Sequence, residues 1–406
     1  MEMEIEECLD RLLERIVPSE KREWIPLEEA CGRIAAEDRT AARNVPSFPR
    51  SAMDGYAVHS ADVAEASRER PVRLRVAGEL FAGDVPETGT DYGSGTAVRI
   101  MTGAYVPEAY DAVVMQEHTD YGMEEAEIYA PVKACQNYCK VGEDIAEGAV
   151  VVKHGTGLTP AHVALLASLG EEKVPVYAKA KVAVISTGSE LLEIGEAAAP
   201  GKIYNSISHM LQAAVRQQGM QVVQRVICAD DGTELRAALQ DALAEADFII
   251  TTGGVSVGKK DIVPKVLRDM GAEILFHGAD IQPGTPTLGA CLEGKIVLAL
   301  SGNPYAALAN FELYFWDCMA RYMHCDSLKP LQKTAVLRSV YEKVNQHRRL
   351  IRACYEDGEV RLLNGVHASS VISNLTACNC FIDLEARRAV KPGDQVRVRM
   401  FRYCGT

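Results

Sequence analysis

Three glycine-rich segments, each directly after an apolar stretch, have the residue types of an anion-binding site. They are Ser186-Thr187-Gly188-Ser189-Glu190-Leu191, then Thr251-Thr252-Gly253-Gly254-Val255-Ser256-Val257-Gly258-Lys259-Lys260-Asp261, and Ser301-Gly302-Asn303-Pro304. Glycine lets the backbone approach a ligand closely, and free amides at the start of a helix favour negative charge. Any one segment could be only a tight strand-to-helix turn. Together they predict a site for a small anionic, phosphate-bearing ligand.

Carboxylates accompany these segments. Glu190 lies in the first and Asp261 closes the second, while Asp230 and Asp231 follow another apolar stretch. Oxygen ligands of this kind suit Mg²⁺, which usually keeps several waters. Acidic residues are also common as helix caps, for reasons of the helix dipole. Their convergence favours a metal or anion site over caps alone.

From residue 181 the hydrophobic pattern alternates between strand and helix, which predicts a doubly wound α/β domain with a largely parallel sheet. Strands are expected over residues 182–186, 222–227, 248–252, 273–276 and 296–300. Helices are expected from the Asn205 cap to Gly219, over 233–246, up to Gly271, and from Asn303 and Pro304 onward. Ligands of such sheets bind beyond the carboxyl ends of the strands, where all three segments lie.

The flanking sequence predicts further modules. Residues 4–16 and 158–170 have helical patterns, and residues 72–152 read as a β-rich module with strands at 72–76, 97–101 and 112–115. After residue 329 only strand-like runs occur, at 335–344, 350–355, 360–363 and 395–401, which predicts a small β-barrel or sandwich. The fold class is therefore multidomain α/β and β.

Composition excludes several classes of protein. A net charge of -13 over 406 residues disfavours nucleic-acid binding, which relies on Lys and Arg. No apolar run approaches the ~18 residues of a membrane span, and the acidic N-terminus is unlike a secretory signal. We therefore expect a cytoplasmic protein, without membrane contact and with its 12 cysteines reduced. HExxH and complete Walker A patterns are absent from the sequence.

Several longer sequence motifs resemble those of one protein family. These are Phe48-Pro49-Arg50-Ser51-Ala52-Met53-Asp54-Gly55-Tyr56-Ala57, Ala97-Val98-Arg99-Ile100-Met101-Thr102-Gly103-Ala104, Asp111-Ala112-Val113-Val114-Met115-Gln116-Glu117, the second glycine-rich segment with Asp261, and Gly302-Asn303-Pro304. In this order, they closely resemble the molybdopterin molybdenumtransferase family of the MoeA type, which includes the gephyrin C-terminal domain. The resemblance covers essentially the whole chain.

The resemblance implies an architecture and an assembly. It implies a discontinuous N-terminal dimerisation domain (1–44 and 140–178), a β-rich inserted domain (45–139), an α/β molybdopterin-binding domain (179–327) and a C-terminal β-barrel (328–406). It also implies an elongated homodimer whose cleft is shared between the α/β domain of one subunit and the β-rich domain of the other. Contacts with the molybdopterin adenylyltransferase and with molybdoenzymes are further expectations.

The implied reaction is the last step of molybdenum cofactor assembly. Adenylylated molybdopterin and molybdate are the substrates, the dithiolene receives molybdenum, and AMP is released with the help of Mg²⁺. Four residues match catalytic positions: Asp54, Glu190, Asp230 and Asp261, of which Asp230 and Asp261 would bind the metal. The expected substrate-binding residues are Thr102, Thr187, Gly188, Gly253, Gly254, Ser256, Gly258, Gly302, Asn303, Pro304, Arg352 and Ser370.

The sequence departs from the family pattern at several positions. His277, Gln282 and Thr285 stand where lysines are common, and Ser301 replaces a proline. Ser189 also stands where the family often has an acid. Loss of three positive charges predicts weaker oxyanion binding unless Lys259, Lys260, Arg352, a protonated His277 or the metal compensates.

Two other functions remain open at this point. A non-catalytic scaffold that kept the fold would explain the missing lysines, but the retained Asp54, Asp230 and Asp261 oppose it. Molybdopterin adenylylation is carried out by domains like residues 179–327. Those domains usually have GGTG where this chain has Gly253-Gly254-Val255-Ser256.

Overall fold

A computed structural model describes residues 2–255, 262–363, 368 and 370–402. Contacts between residues divide the chain into two compact units. Unit 1 comprises residues 1–37, 154–160 and 173–406, and unit 2 comprises residues 38–153 and 161–172. The four predicted domain boundaries are finer than this division and stay a prediction.

The helices follow the predicted pattern. They are α1 Ile5–Arg15, α2 Pro160–Ser168, α3 Ser206–Gln217, α4 Gly232–Glu245, α5 Val263–Asp269, α6 Pro304–Asn310 and α7 Trp316–Tyr322. A π-helical turn, Phe311–Phe315, joins α6 to α7, and short 3-10 turns occur at Leu27–Glu29, Gln116–His118, Asp326–Leu328 and Ser373–Ala377. Asn205 caps α3 as predicted, because its Oδ1 accepts a hydrogen bond from the Ser208 amide at 3.2 Å.

The strands of the N-terminal half are β1 Arg22–Pro26, β2 Arg39–Thr40, β3 Arg50–Ser51, β4 Gly55–Val58, β5 Val72–Leu80, β6 Thr96–Ile100, β7 Ala112–Met115, β8 Glu125–Ile128, β9 Tyr138–Cys139, β10 Val150–Val152 and β11 Lys173–Tyr177. Those of the C-terminal half are β12 Lys181–Thr187, β13 Leu191–Leu192, β14 Ile203–Tyr204, β15 Gln221–Cys228, β16 Phe248–Thr252, β17 Glu273–His277, β18 Ile281–Gln282, β19 Leu288–Leu292, β20 Lys295–Leu300, β21 Gln332–Leu337, β22 Arg348–Glu356, β23 Glu359–Leu362, β24 Cys380–Leu384 and β25 Gln395–Met400.

The predicted doubly wound sheet is confirmed in unit 1. Its strand order is β15-β12-β16-β20-β19-β17, and the first four strands are parallel. Side chains of one strand alternate between two cores. Val184 of β12 packs in the core that contains α3, and Ile185 packs in the core that contains α4 and α5. Burial on both faces explains why these strands are continuously apolar.

Strand β19 was not predicted, and it makes one edge of the sheet antiparallel. It pairs with β17 and with β20, to which a tight turn at Glu293 and Gly294 connects it. Both turn residues have positive φ, 50° and 76°, as the tightest hairpin turns require.

Unit 2 contains the β-rich module. Its five-stranded sheet has the order β7-β4-β6-β5-β8. Alternate residues of β4, Tyr56 and Val58, pack with Ala97 and Val114 in one core, while Ala57 packs with Val98 and Val113 in a second. The sheet is therefore buried on both faces at β4, the strand in which the motif of residues 48–57 ends.

The C-terminal β-barrel is also confirmed. Strands β22, β23, β21, β25 and β24 pair in sequence, and β22 also pairs with β24, so the sheet closes. The prediction of a strand over 335–344 was wrong beyond Leu337. Val340 and Val344 are 66% and 53% exposed, so the apolar residues there have no buried face. Among the described residues, no helix combines the length and apolar character needed to cross a membrane.

Candidate active site

The three glycine-rich segments meet in unit 1. They follow β12, β16 and β20, whose parallel pairing places their carboxyl ends at one edge of the sheet. Together they surround a cavity of about 440 Å³. The predicted site residues that line it are Thr187, Gly188, Glu190, Asp230, Gly253, Gly254, Gly302, Asn303 and Pro304. We call this the acidic cavity, because its charged lining residues in the described part of the chain are Glu190 and Asp230.

Gly253 must be a glycine because the second loop packs directly against the first loop. A Cβ on Gly253 would lie 2.3 Å from the carbonyl oxygen of Thr187, and the residue has a φ of +84°. The Gly253 amide donates to the carbonyl of Leu300 at 3.0 Å. The loops after β12, β16 and β20 therefore form one packed floor for the cavity.

The third loop begins α6 with Asn303 at the N-cap and Pro304 as the first helical residue, as predicted. The Asn303 side chain itself makes no cap hydrogen bond. Instead, the Asn303 amide donates to Ser301 Oγ at 3.2 Å. Ser301 thus holds this turn, and the Asn303 side chain is not used as a cap.

Ser189 orients Asp230 at the mouth of the acidic cavity. Asp230 Oδ2 accepts from the Ser189 amide at 3.2 Å and lies 3.1 Å from Ser189 Oγ. The neighbouring Asp231 has a different role, because it accepts from the amides of Thr233 and Glu234 and so caps α4. Those backbone donors lower the pKa of the Asp231 carboxyl. Of the two adjacent acids, Asp230 is the one that lines the cavity.

Glu190 is the second carboxylate of the cavity. Its side chain folds back over Gly188, so that a Cβ on Gly188 would lie 2.8 Å from both carboxylate oxygens. Exposed carboxylate oxygens from Glu190 and Asp230 around one cavity are a donor set that fits Mg²⁺. The predicted residues Ser256, Gly258 and Asp261 lie outside the described residues, as do Lys259 and Lys260.

Asp54 and Thr102 form a pair within unit 2. Asp54 Oδ1 accepts hydrogen bonds from the Thr102 amide and from Thr102 Oγ1, both at 2.7 Å. Both hydrogen bonds lower the pKa of the Asp54 carboxyl, and the one from the Thr102 amide has the larger effect. A Cβ on the adjacent Gly55 would lie 1.9 Å from the Val114 carbonyl, so glycine is required there. The exposed Asp54 is therefore a fixed, ionised group.

A second cavity of about 500 Å³ adjoins the acidic cavity and shares Pro286, Ser301 and Asn303 with it. Gln282 and Thr285, two of the positions where the resemblance led us to expect lysines, line it. Arg349 also lines it, and its Nη1 donates to Gln282 Oε1 at 3.1 Å. We call this the Arg349 cavity. Arg349 was not among the predicted site residues, although its place in the basic pair Arg348-Arg349 of an acidic chain was a visible signal.

The other predicted groups lie elsewhere. His277 Nε2 lies 3.0 Å from the Val255 carbonyl oxygen, and the residue lines neither cavity. Arg352 is fully buried. Its guanidinium donates to the carbonyls of Val371 and Ala368 and lies 3.9 Å from the Tyr305 ring centroid. Burial lowers the pKa of Arg352.

Arg352 therefore supports Tyr305 and three residues of the C-terminal part, Ala368, Val371 and Asn374. Neither it nor the exposed Ser370 is among the described residues that line the acidic cavity.

Comparisons with known proteins agree over nearly the full length. Residues 3–170 match the family model "MoeA N-terminal region (domain I and II)", and residues 183–320 match "Probable molybdopterin binding domain". The chain is 37% identical to a molybdopterin molybdenumtransferase of Bacillus subtilis, over 97% of this chain and 94% of that one. It is 34% identical to that of Haemophilus influenzae, over 98% of both chains.

A solved structure is similar as well. The crystal structure of the molybdopterin biosynthesis MoeA protein from Pyrococcus horikoshii superposes with a TM-score of 0.86 at 30% identity. The match covers 99% of this chain and 100% of that one. The similarity therefore includes all of the segments described above.

Proposed function

Because this chain belongs to the molybdopterin molybdenumtransferase family, we propose that it inserts molybdenum from molybdate into adenylylated molybdopterin and releases AMP. The observation that carries the proposal is the pair of adjoining cavities at the carboxyl edge of the α/β sheet. They share Pro286, Ser301 and Asn303, so two substrates can bind side by side. The phosphoanhydride bond of the adenylylated pterin is broken in this reaction, and the dithiolene sulfurs bind molybdenum.

The acidic cavity would hold the adenylylated pterin together with Mg²⁺. Its described lining contains Glu190 and Asp230 but neither lysine nor arginine, so a phosphate-bearing ligand needs a cation there. Asp230 and Glu190 would hold the metal, with Asp261 predicted as a further ligand. Bound Mg²⁺ would offset the charge that develops on the phosphate oxygens as AMP departs. The loop amides around Gly253 and Gly302 would position the phosphates.

The Arg349 cavity would hold molybdate. Arg349 is the one described cation among its lining residues, and a guanidinium binds an oxyanion through two parallel hydrogen bonds. Its hydrogen bond to Gln282 places it beside a position where relatives carry lysine. This arrangement supports Arg349 as the cation that takes over part of the role of the missing lysines.

We further propose a homodimer with a shared site in the cytoplasm, where the molybdopterin adenylyltransferase would supply substrate and molybdoenzymes would receive product. Asp54 of one subunit would act with Asp230 of the other. Two inactive proteins, Asp54→Ala and Asp230→Ala, should then regain about a quarter of the activity as statistical mixed dimers, after exchange is verified by mass spectrometry. No recovery in verified mixed dimers would contradict the shared site.

The proposed chemistry is tested by AMP release from adenylylated molybdopterin, with molybdate and Mg²⁺ present. Asp230→Asn should lower the rate at least about 100-fold, because it removes a charged ligand of the metal. Asp231→Asn is the matched control, since asparagine also caps a helix, and it should keep the wild-type rate. Equal rates in both variants would contradict the role of Asp230. A scaffold protein would release no AMP in any of them.

A further inference from the structure

A third large cavity lies in unit 1 and shares no lining residue with the acidic cavity or the Arg349 cavity. Its volume is about 630 Å³, which is in the range of small-molecule sites. It is lined by parts of the N-terminal segment, residues 157–159 just before α2, the end of α3, residues 325–328 and the end of the described C-terminus. Four of its lining residues are basic: Arg33, Lys179, Arg216 and Arg402. We call it the basic cavity.

The positive charges of the basic cavity exceed the negative ones. Glu29 is the only acid among its described lining residues. Arg33 is neutralised by an ion pair with Glu23 and also donates to the Tyr177 carbonyl at 2.9 Å. The side chains of Lys179 and Arg216 form no ion pair or hydrogen bond with any described residue. Such a surplus contrasts with the net charge of -13 for the chain.

Arg402 adds an unsatisfied donor. Its Nε is buried and has no hydrogen-bond partner among the described residues. Its backbone is held in place, because the Arg402 carbonyl accepts from Gln218 Nε2 and its amide donates to Glu312 Oε2, both at 3.3 Å. A buried donor without a partner costs free energy.

A helix dipole explains only one of these cations. Arg216 lies in the last turn of α3, where a positive charge is favoured. Lys179 lies just before β12, outside any helix, and Arg402 follows β25. Three cations from separate segments around one cavity are the arrangement that binds an anion of two or more charges.

We propose that the basic cavity is a second anion site, separate from the proposed catalytic cavities, and that it binds a small phosphate-bearing ligand. Arg216, Lys179 and Arg402 provide the positive charge that binds the phosphate oxygens of the ligand. This assignment does not depend on the catalytic proposal, because no residue is common to the two regions.

The test uses inorganic pyrophosphate and AMP as probes for the full-length protein, titrated by calorimetry at constant ionic strength. Arg216→Gln should weaken binding at this site about tenfold, since it removes a charged hydrogen-bond donor. Arg321→Gln is the matched control, because Arg321 is also an exposed arginine in the last turn of a helix, α7. Lys179→Gln provides a second variant outside any helix.

Cys31 locates the bound probe. It is an exposed thiol that lines the basic cavity, and Cys135 and Cys354 are exposed thiols that do not. Either probe should slow alkylation of Cys31, measured by mass spectrometry, while the other two cysteines react at unchanged rates. Protection that is lost in Arg216→Gln but kept in Arg321→Gln supports the site. Absence of protection by both probes, or equal affinity in the two arginine variants, overturns it.

Discussion

Glu312 offers a quantitative test of the packing that supports the third loop. It lies in the π-helical turn Phe311–Phe315 that continues α6, the helix that the Gly302-Asn303-Pro304 loop begins. Its side chain is fully buried, and Oε1 has no hydrogen-bond partner in the described part of the chain. Burial raises the pKa of the Glu312 carboxyl to about 7. We predict that Glu312→Gln changes the pH dependence of stability.

The direction of this pH dependence follows from the number of protons bound by the folded and unfolded states. Between the ordinary pKa of 4.5 and the folded pKa of about 7, the folded state keeps a proton that the unfolded state has lost. The stability contributed by the neutral carboxyl is therefore complete below pH 4.5, falls as the pH rises through this window, and levels off above pH 7. At 1.36 kcal/mol for each pKa unit, the loss amounts to about 3 kcal/mol. Glutamine cannot ionise, so the variant avoids this loss.

Urea denaturation at pH 4.5 to 8.5, followed by the fluorescence of the buried Trp316, measures the effect. The free energy of unfolding of Glu312→Gln, relative to wild type, should rise by up to about 3 kcal/mol between the two ends of the range. Glu245→Gln, at an exposed position of α4, controls for the loss of one negative charge. If the difference in unfolding free energy between Glu312→Gln and wild type stays constant with pH, the raised pKa of Glu312 is refuted.

Three further predictions concern the site. Gly253→Ala should lower AMP release about 100-fold, because its Cβ would lie 2.3 Å from the Thr187 carbonyl and displace the loop. Gly195→Ala has a similar φ of +93° with nothing within 4 Å of the Cβ, so it should keep near-wild-type activity. Thr102→Val removes one of two donors that lower the pKa of Asp54, so the acid limb of the pH–rate profile should move to higher pH. Changing Gln282 and Thr285 to Lys should tighten molybdate binding at least about tenfold by calorimetry, because two unit charges 4 Å apart attract by about 4 kcal/mol at an effective dielectric of 20, before desolvation. Unchanged affinity would show that these two positions do not face the oxyanion.

The floor of the acidic cavity was predictable from sequence because its parts are local. Each loop follows a continuously buried strand, and parallel strands bring their carboxyl ends to one edge. The helix cap at Asn205 and the helix start at Pro304 could likewise be predicted from residues next to each other in the sequence. Asp54 and Thr102, 48 residues apart, came only from the family resemblance, and the structure joins them through two hydrogen bonds.

What the sequence could not supply depends on contacts between distant segments. Arg349 and Arg352 are three residues apart, yet one lines a cavity while the other is buried under carbonyl groups. Strands β19 and β24 were not predicted. Their positions depend on pairing with neighbouring strands rather than on a clear periodic pattern in the sequence. The basic cavity combines residues from Arg33 to Arg402, so no local pattern could indicate it.

The central claim is that AMP release is coupled to molybdenum insertion. The most direct measurement incubates the protein with adenylylated molybdopterin, Mg²⁺ and molybdate, and then determines both the AMP released and the molybdenum bound to the pterin product. We predict one molybdenum for each AMP, with both products lost in Asp230→Asn. AMP release without molybdenum in the pterin, or a pterin that stays adenylylated in the presence of molybdate, would contradict the account.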